Sequence, residues 1–278
     1  MNVATMLIGA MKPTLSHVIP SRGGPVSAVT SLGDDVFVAR DVSNLFSNSE
    51  VEVYNAGTFS LQRCIKVPQV GKNVYGLAAC RHHNCLYVSG DNNSIHRVQL
   101  SGSNAVTRWF AASDPRGLSV NRQRNVVVAC SGANKLLEYT TRGTPEREIS
   151  LQSGVTSPYY AIQLSTGDYV VSHHGGVTVV GVDGLVVRSC SASVANMSSP
   201  NSLVVMTNDD ILVADTGNNR ILSVNSSLSS AEKLALTVND ELQQPLGLYL
   251  DEPQGRLYVS EGSKKSRVLA FNNVKLCD

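Results

Sequence analysis

Charge of one sign is missing from this sequence. Its 278 residues carry 23 Lys and Arg against 22 Asp and Glu, a formal charge of +1, so bulk charge gives no attraction to nucleic acid or to an anionic membrane. Long apolar runs are missing as well. The longest near the start, Val3 to Met11, spans nine residues, well short of the roughly 20 that a membrane-spanning helix needs. The same run lacks the basic flank and small-residue cleavage site of a secretory signal, which points to the cytoplasm rather than to export. No helix-period segment exceeds two turns, which excludes helical and α/β folds. A P-loop, a Gly-x-Ser-x-Gly elbow and a dinucleotide fingerprint are all lacking. The six cysteines, at positions 64, 80, 85, 130, 190 and 277, form no C-x-x-C metal pattern. Cys80 and Cys85, with four residues between them, face each other across a hairpin if both flanks are strands; a reduced pair and a disulfide both fit that spacing. With 42% hydrophobic and 16% charged residues, the chain is too apolar for disorder and can bury a sizeable core.

What the sequence does have is a repeat. A strand rich in β-branched residues ends in Val-Ala or Val-Ser six times, with its Val at 38, 88, 128, 171, 213 and 259, at intervals of 50, 40, 43, 42 and 46. Thirteen or fourteen residues upstream stands Pro25, Val74, Pro115, Pro158, Pro200 or Pro245. Between the two anchors lie two short apolar runs split by a polar turn, a hairpin. A third strand follows, as in Lys135–Tyr139 or Arg220–Val224, and a glycine-bearing turn at Gly57, Gly102, Gly143 or Gly184 leads to a fourth. Units of this length with four strands predict an all-β, six-bladed β-propeller of four-stranded antiparallel blades. The last unit has room for three strands, so an N-terminal strand within Leu15–Ile19 is expected to complete it and hide the sheet edge. Residues 1–13 then read as a tail and 14–278 as one propeller domain.

Two stretches carry a family resemblance. Ser199-Pro-Asn-Ser-Leu running to Val213-Ala-Asp-Thr-Gly-Asn-Asn-Arg-Ile221 resembles the NHL repeat, and Gln244-Pro-Leu-Gly-Leu-Tyr-Leu-Asp251 with Gly255-Arg-Leu-Tyr-Val-Ser-Glu261 looks like another copy. The chain is similar to invertebrate NHL-repeat proteins and to the propellers of tripartite-motif proteins. That likeness implies a fold rather than an activity, because such propellers serve as interaction platforms, RNA binders and a peptide-amidating lyase. A ligase role would need a partner, since no RING or B-box segment is present.

Hairpin geometry puts the residue after each upstream anchor and the residue after each Val-Ala/Ser on one face of the ring. The first set is Val26, Tyr75, Arg116, Tyr159, Asn201 and Leu246; the second is Arg40, Gly90, Cys130, His173, Asp215 and Glu261. Asp215 with Asn218, Asn219 and Arg220 looks like the NHL turn, where a carboxylate accepts turn N–H groups or pairs with the arginine. Tyr75, Arg116, Tyr159, Asn201, Arg40 and His173 are the candidate binding residues at the axial mouth. The amidating lyase uses three zinc-bound histidines with an Arg and a Tyr; this sequence offers Arg116, Tyr159 and His173 without a second or third ring histidine. Calcium-dependent lactonase propellers are matched at Asn201, whereas Gly23 stands where their first Glu would be. No metal or cofactor is therefore expected. Arg40, Arg116, Lys135, Lys264, Lys265 and Arg267 could share the mouth face, but Asp114, Asp215 and Glu261 sit among them, which argues against nucleic acid. The first unit carries about five extra residues near Asp41–Glu50, with apolar Leu45 and Phe46 at their middle, either packed back on the blade or offered to a partner. The resulting expectation is a binding module for a protein or peptide at the mouth, with a propeller enzyme or small-ligand binder as the alternative.

Overall fold

The structure is a computed structural model describing residues 13–20, 22–41, 49–109, 113–236, 241–262 and 265–274. Strand β1 (Thr14–Ile19) comes first in the chain but belongs to the last blade. Blade 1 is β2 (Val26–Leu32), β3 (Asp35–Arg40), β4 (Glu50–Asn55) and β5 (Leu61–Lys66). Blade 2 is β6 (Val74–Cys80), β7 (Cys85–Gly90), β8 (Ile95–Gln99) and β9 (Val106–Arg108); blade 3 is β10 (Pro115–Val120), β11 (Val126–Cys130), β12 (Lys135–Tyr139) and β13 (Pro145–Ser150). Blade 4 is β14 (Tyr160–Gln163), β15 (Tyr169–His173), β16 (Gly176–Val180) and β17 (Val186–Ser189); blade 5 is β18 (Pro200–Val205), β19 (Ile211–Asp215), β20 (Arg220–Val224) and β21 (Ala231–Lys233). Blade 6 is β22 (Pro245–Asp251), β23 (Arg256–Glu261) and β24 (Val268–Asn272), completed on its outside by β1. The expected closure by an N-terminal strand is thus found, with Thr14 opposite Asn272 and Ile19 opposite Val268. Among the described residues no helix is long and apolar enough to cross a membrane.

The recurring Val-Ala and Val-Ser pairs have a packing cause. The second strand of every blade is buried on both faces, because each blade is pressed between two others, and so it reads as a continuous apolar run. The small residue that ends the pair, Ala39, Ser89, Ala129, Ser172, Ala214 or Ser260, is fully covered. It sits where the next blade's inner strand comes closest: the Ser89 hydroxyl donates to the Arg116 carbonyl and the Ser172 hydroxyl to the Asn201 carbonyl, each at 2.5 Å. A larger side chain there would wedge the blades apart. Apolar clusters fill the seams between blades, as where Phe37, Val51 and Val53 of blade 1 meet Leu77, Leu86 and Val88 of blade 2. Outer strands are mostly exposed and polar, as in β13.

The ring's two ends are also clamped. Arg40, at the end of β3, is 6% exposed. Its Nε donates to Glu52 Oε2 at 2.6 Å, Nη1 to the Ser266 carbonyl at 3.1 Å and Nη2 to the Pro20 carbonyl at 2.9 Å. One side chain of blade 1 therefore holds both the segment leaving β1 and the loop between β23 and β24.

Candidate functional site at the axial mouth

Five of the six inner strands open with an irregularity that presents a side chain; β14 pairs with β15 in unbroken register. The pairing Val74 with Gly90 is followed by Gly76 with Ser89, so Tyr75 is bulged out of register, and the same shift occurs at the start of β2, β10, β18 and β22. A bulge re-aims its side chain while the strand continues. The residues so presented are Ser27, Tyr75, Arg116, Asn201 and Leu246, and Tyr159 stands at the corresponding place just before β14; all six are half-buried. Blade 1 corrects the expected ring: Val26, not Pro25, pairs with Arg40 in the anchor position. Val26 is completely buried, and Ser27 takes the mouth position.

Two of these side chains are locked together. The Arg116 guanidinium lies 4.0 Å from the centroid of the Tyr75 ring and donates to Asp114 Oδ2 at 3.1 Å. Stacking and ion pairing hold the cation in one place at the rim, while its Nε is buried without an acceptor. Tyr159 is fixed by its backbone, its N–H donating to the Ser172 carbonyl and its carbonyl accepting from the Gly117 N–H, each at 2.8 Å. Asn201 is held likewise through the carbonyl that receives the Ser172 hydroxyl.

The second set is corrected more strongly, for all six of its members are buried. Arg40 belongs to the closure clamp and does not reach the mouth. His173 is 4% exposed; its Nδ1 accepts from the Gly175 N–H at 3.1 Å, and the proton on Nε2 is donated to Thr178 Oγ1 at 3.0 Å. Burial, with His174 nearby, lowers it to about 4 and keeps it neutral. Asp215 fulfils the turn reading: its carboxylate accepts from the Ser198 N–H at 2.7 Å, from Asn218 at 2.9 Å and from Arg220 at 2.7 Å. Glu261 repeats this in blade 6 with the Gln243 N–H and Arg267. Strand ends at this face are where blades must cap their turns, so polar side chains here are consumed locally.

Below the mouth a cavity of about 220 Å³ runs along the axis, lined by residues from all six inner strands. Two phenols in it escaped the sequence reading, Tyr160 and Tyr249. The register places Tyr160 where other blades have Ala28, Gly76, Ser202 or Gly247. Its ring covers Gly117 so closely that a Cβ there would stand 2.1 Å from Tyr160 Cδ2. Burial raises both phenols, so both remain protonated donors. A bulky residue at a position otherwise small was the available signal.

The mouth carries little net field. Among the described residues there, Arg116 pairs with Asp114, Lys135 with Glu148 and Arg267 with Glu261. Among the described residues no group of three His, Cys, Asp or Glu side chains could hold a metal ion. Leu45, Phe46 and Lys264 lie outside the described residues.

These features define a closed six-bladed propeller with a mixed aromatic, cationic and amide rim. Residues 197–222 match the NHL repeat family, so the chain is a six-bladed β-propeller that carries an NHL repeat in blade 5. No curated protein sequence matches it. Among solved structures it is similar to a streptogramin B lyase, at 11% identity and a TM-score of 0.63 over 92% of this chain and 96% of the other. A catalytically inactive virginiamycin B lyase from Staphylococcus aureus with quinupristin gives 12%, 0.65, 91% and 82%. A protein of unknown function from Bacteroides thetaiotaomicron VPI-5482 gives 10%, 0.72, 91% and 70%. At such identities the likeness is one of fold.

Proposed function

We propose that the propeller is a binding module that takes a protein or peptide on its mouth face. The observation that carries this reading is Arg116, stacked on Tyr75, tied to Asp114 and half-buried at the rim. Preordered Arg and Tyr side chains are the residue types on which interface energy concentrates, since little side-chain entropy remains to be lost on binding. Tyr159, Asn201 and Leu246 add aromatic, amide and aliphatic contacts around the same opening. Selection of a displayed peptide library on the immobilised full-length protein tests it. Enriched peptides should bind the folded Arg116→Ala, Tyr159→Phe double variant at least about tenfold more weakly, a loss of about 1.4 kcal/mol. Equal affinity for both proteins, or no enrichment, refutes the reading.

The second reading, an enzyme or small-ligand binder at the axial mouth, draws on the two phenols in the axial cavity and on the lyases of similar fold. Metal analysis of the purified protein separates the two, because one firmly bound ion per chain favours the enzyme.

A further inference from the structure

At the far end of blade 2, away from the mouth, Cys80 and Cys85 close the hairpin between β6 and β7. They are direct register partners, and both thiols are free. Opposed residues of an antiparallel pair have Cα atoms about 4.5–5.5 Å apart, within the span a disulfide bridges. The turn between them supplies a third group: His83 Nδ1 lies 3.3 Å from Cys80 Sγ. That turn is pinned from two sides, Gln99 Nε2 donating to the carbonyls of His83 and Asn84, and Arg124 Nη1 lying 2.8 Å from His82 Nε2.

We propose that Cys80 and Cys85 are an oxidisable dithiol whose co-substrate is a small hydroperoxide, with Cys80 the attacking sulfur and His83 its positioning residue. The Cys80 thiolate attacks one peroxide oxygen; the O–O bond breaks, the second oxygen leaves as water or alcohol after taking a proton, and Cys80 becomes a sulfenic acid. The Cys85 sulfur then attacks Cys80, the S–O bond breaks, and hydroxide leaves as water with the Cys85 proton. Two thiols are oxidised to one disulfide while one peroxide is reduced by two electrons. The neighbouring groups favour this order. Hydrogen bonding with Cys85, and then the His83 ring beside it, lowers Cys80 against the effect of burial, whereas Cys85 is raised by its bond to Cys80 and by burial. The exposed Cys64 is raised by partial burial and by Glu50 and Glu52, and Cys130 is pushed up to about 12 by burial.

Hydrogen peroxide is added in stoichiometric amount to full-length protein carrying Cys277→Ser, and each remaining thiol is mapped by alkylation and peptide mass spectrometry. The expected product is a Cys80–Cys85 cross-linked peptide, lighter by two hydrogens and restored by dithiothreitol, formed while Cys64 remains a thiol. Cys85→Ala should stop at a Cys80 sulfenic acid trapped by dimedone, and His83→Ala should slow the first step by about tenfold. Oxidation of Cys64 ahead of Cys80, or absence of the cross-link in the otherwise native protein, overturns the proposal. Because the mapping is done on natively folded protein, failure of a variant to fold leaves it decisive.

Discussion

Replacing Arg40 with Ala removes three hydrogen bonds among the described residues and leaves Glu52, 6% exposed, beside Tyr54 and the more distant Arg22. Breaking a buried ion pair from one side costs about 3–5 kcal/mol, because the remaining charge stays desolvated. Arg22, at 3.8 Å from the other Glu52 oxygen and half exposed, can move closer, so the low end applies. For a chain of this size that is a fall in melting temperature on the order of 10 °C. The Arg40→Met, Glu52→Met double variant, which buries no charge, should recover most of it. Thermal unfolding followed by circular dichroism measures both, and amide hydrogen exchange supplies the location. Exchange should quicken at residues 17–20 and 265–268, which Arg40 holds, and stay unchanged in blades 3 and 4. A loss under about 1 kcal/mol, the size of an ordinary exposed pair, would refute the clamp. So would exchange quickened equally in all blades.

Other outcomes follow from the same contacts. Deleting residues 1–20 uncovers Phe271 and Leu269 and leaves β24 as an open edge, so melting should fall by on the order of 10 °C; equal melting would remove β1 from the closure. His173 has an ordinary value of 6.5 and a folded value of about 4, so the unfolded chain binds the extra proton and stability falls as pH drops through that window. The fall is about 3 kcal/mol at about 1.4 per unit, and His173→Asn, which keeps an acceptor for Gly175, should flatten that part of a urea-midpoint series against pH. Gly117→Ala brings its Cβ to 2.1 Å from Tyr160 Cδ2 and 2.7 Å from the Tyr159 carbonyl. It should cost about 2–3 kcal/mol, and adding Tyr160→Ala should restore part, since the carbonyl stays.

The propeller was legible because its repeat reflects packing between identical neighbours. Val128-Ala129 and Val171-Ser172 are spaced alike because each must fit beneath an adjacent inner strand, a constraint that recurs in every blade. The repeat also made equivalent positions legible: Tyr75, Arg116, Tyr159 and Asn201 each stand at the opening of their blade's inner strand. Blade 1 misled because Pro25 sits one residue before the true anchor, and only the pairing of Val26 with Arg40 shows the offset. The fates of Arg40 and His173 were not legible. Arg40 is held by Ser266, 226 residues away, and periodicity says nothing of such partners. Tyr160 could have been noticed against Gly76, Gly117 and Gly247, but a single departure from a small-residue position has no meaning until the axis it enters is known.

The opening of each inner strand separates folding from recognition. Arg116, Tyr159 and Asn201 are gripped by their carbonyls, through Ser89, Gly117 and Ser172, and a carbonyl is the same whichever amino acid bears it. These three rim positions therefore behave as interchangeable letters on a fixed dial. Any one can be rewritten without disturbing the seam beneath it, so specificity can drift between relatives, or be grafted by design, while the ring itself is inherited intact.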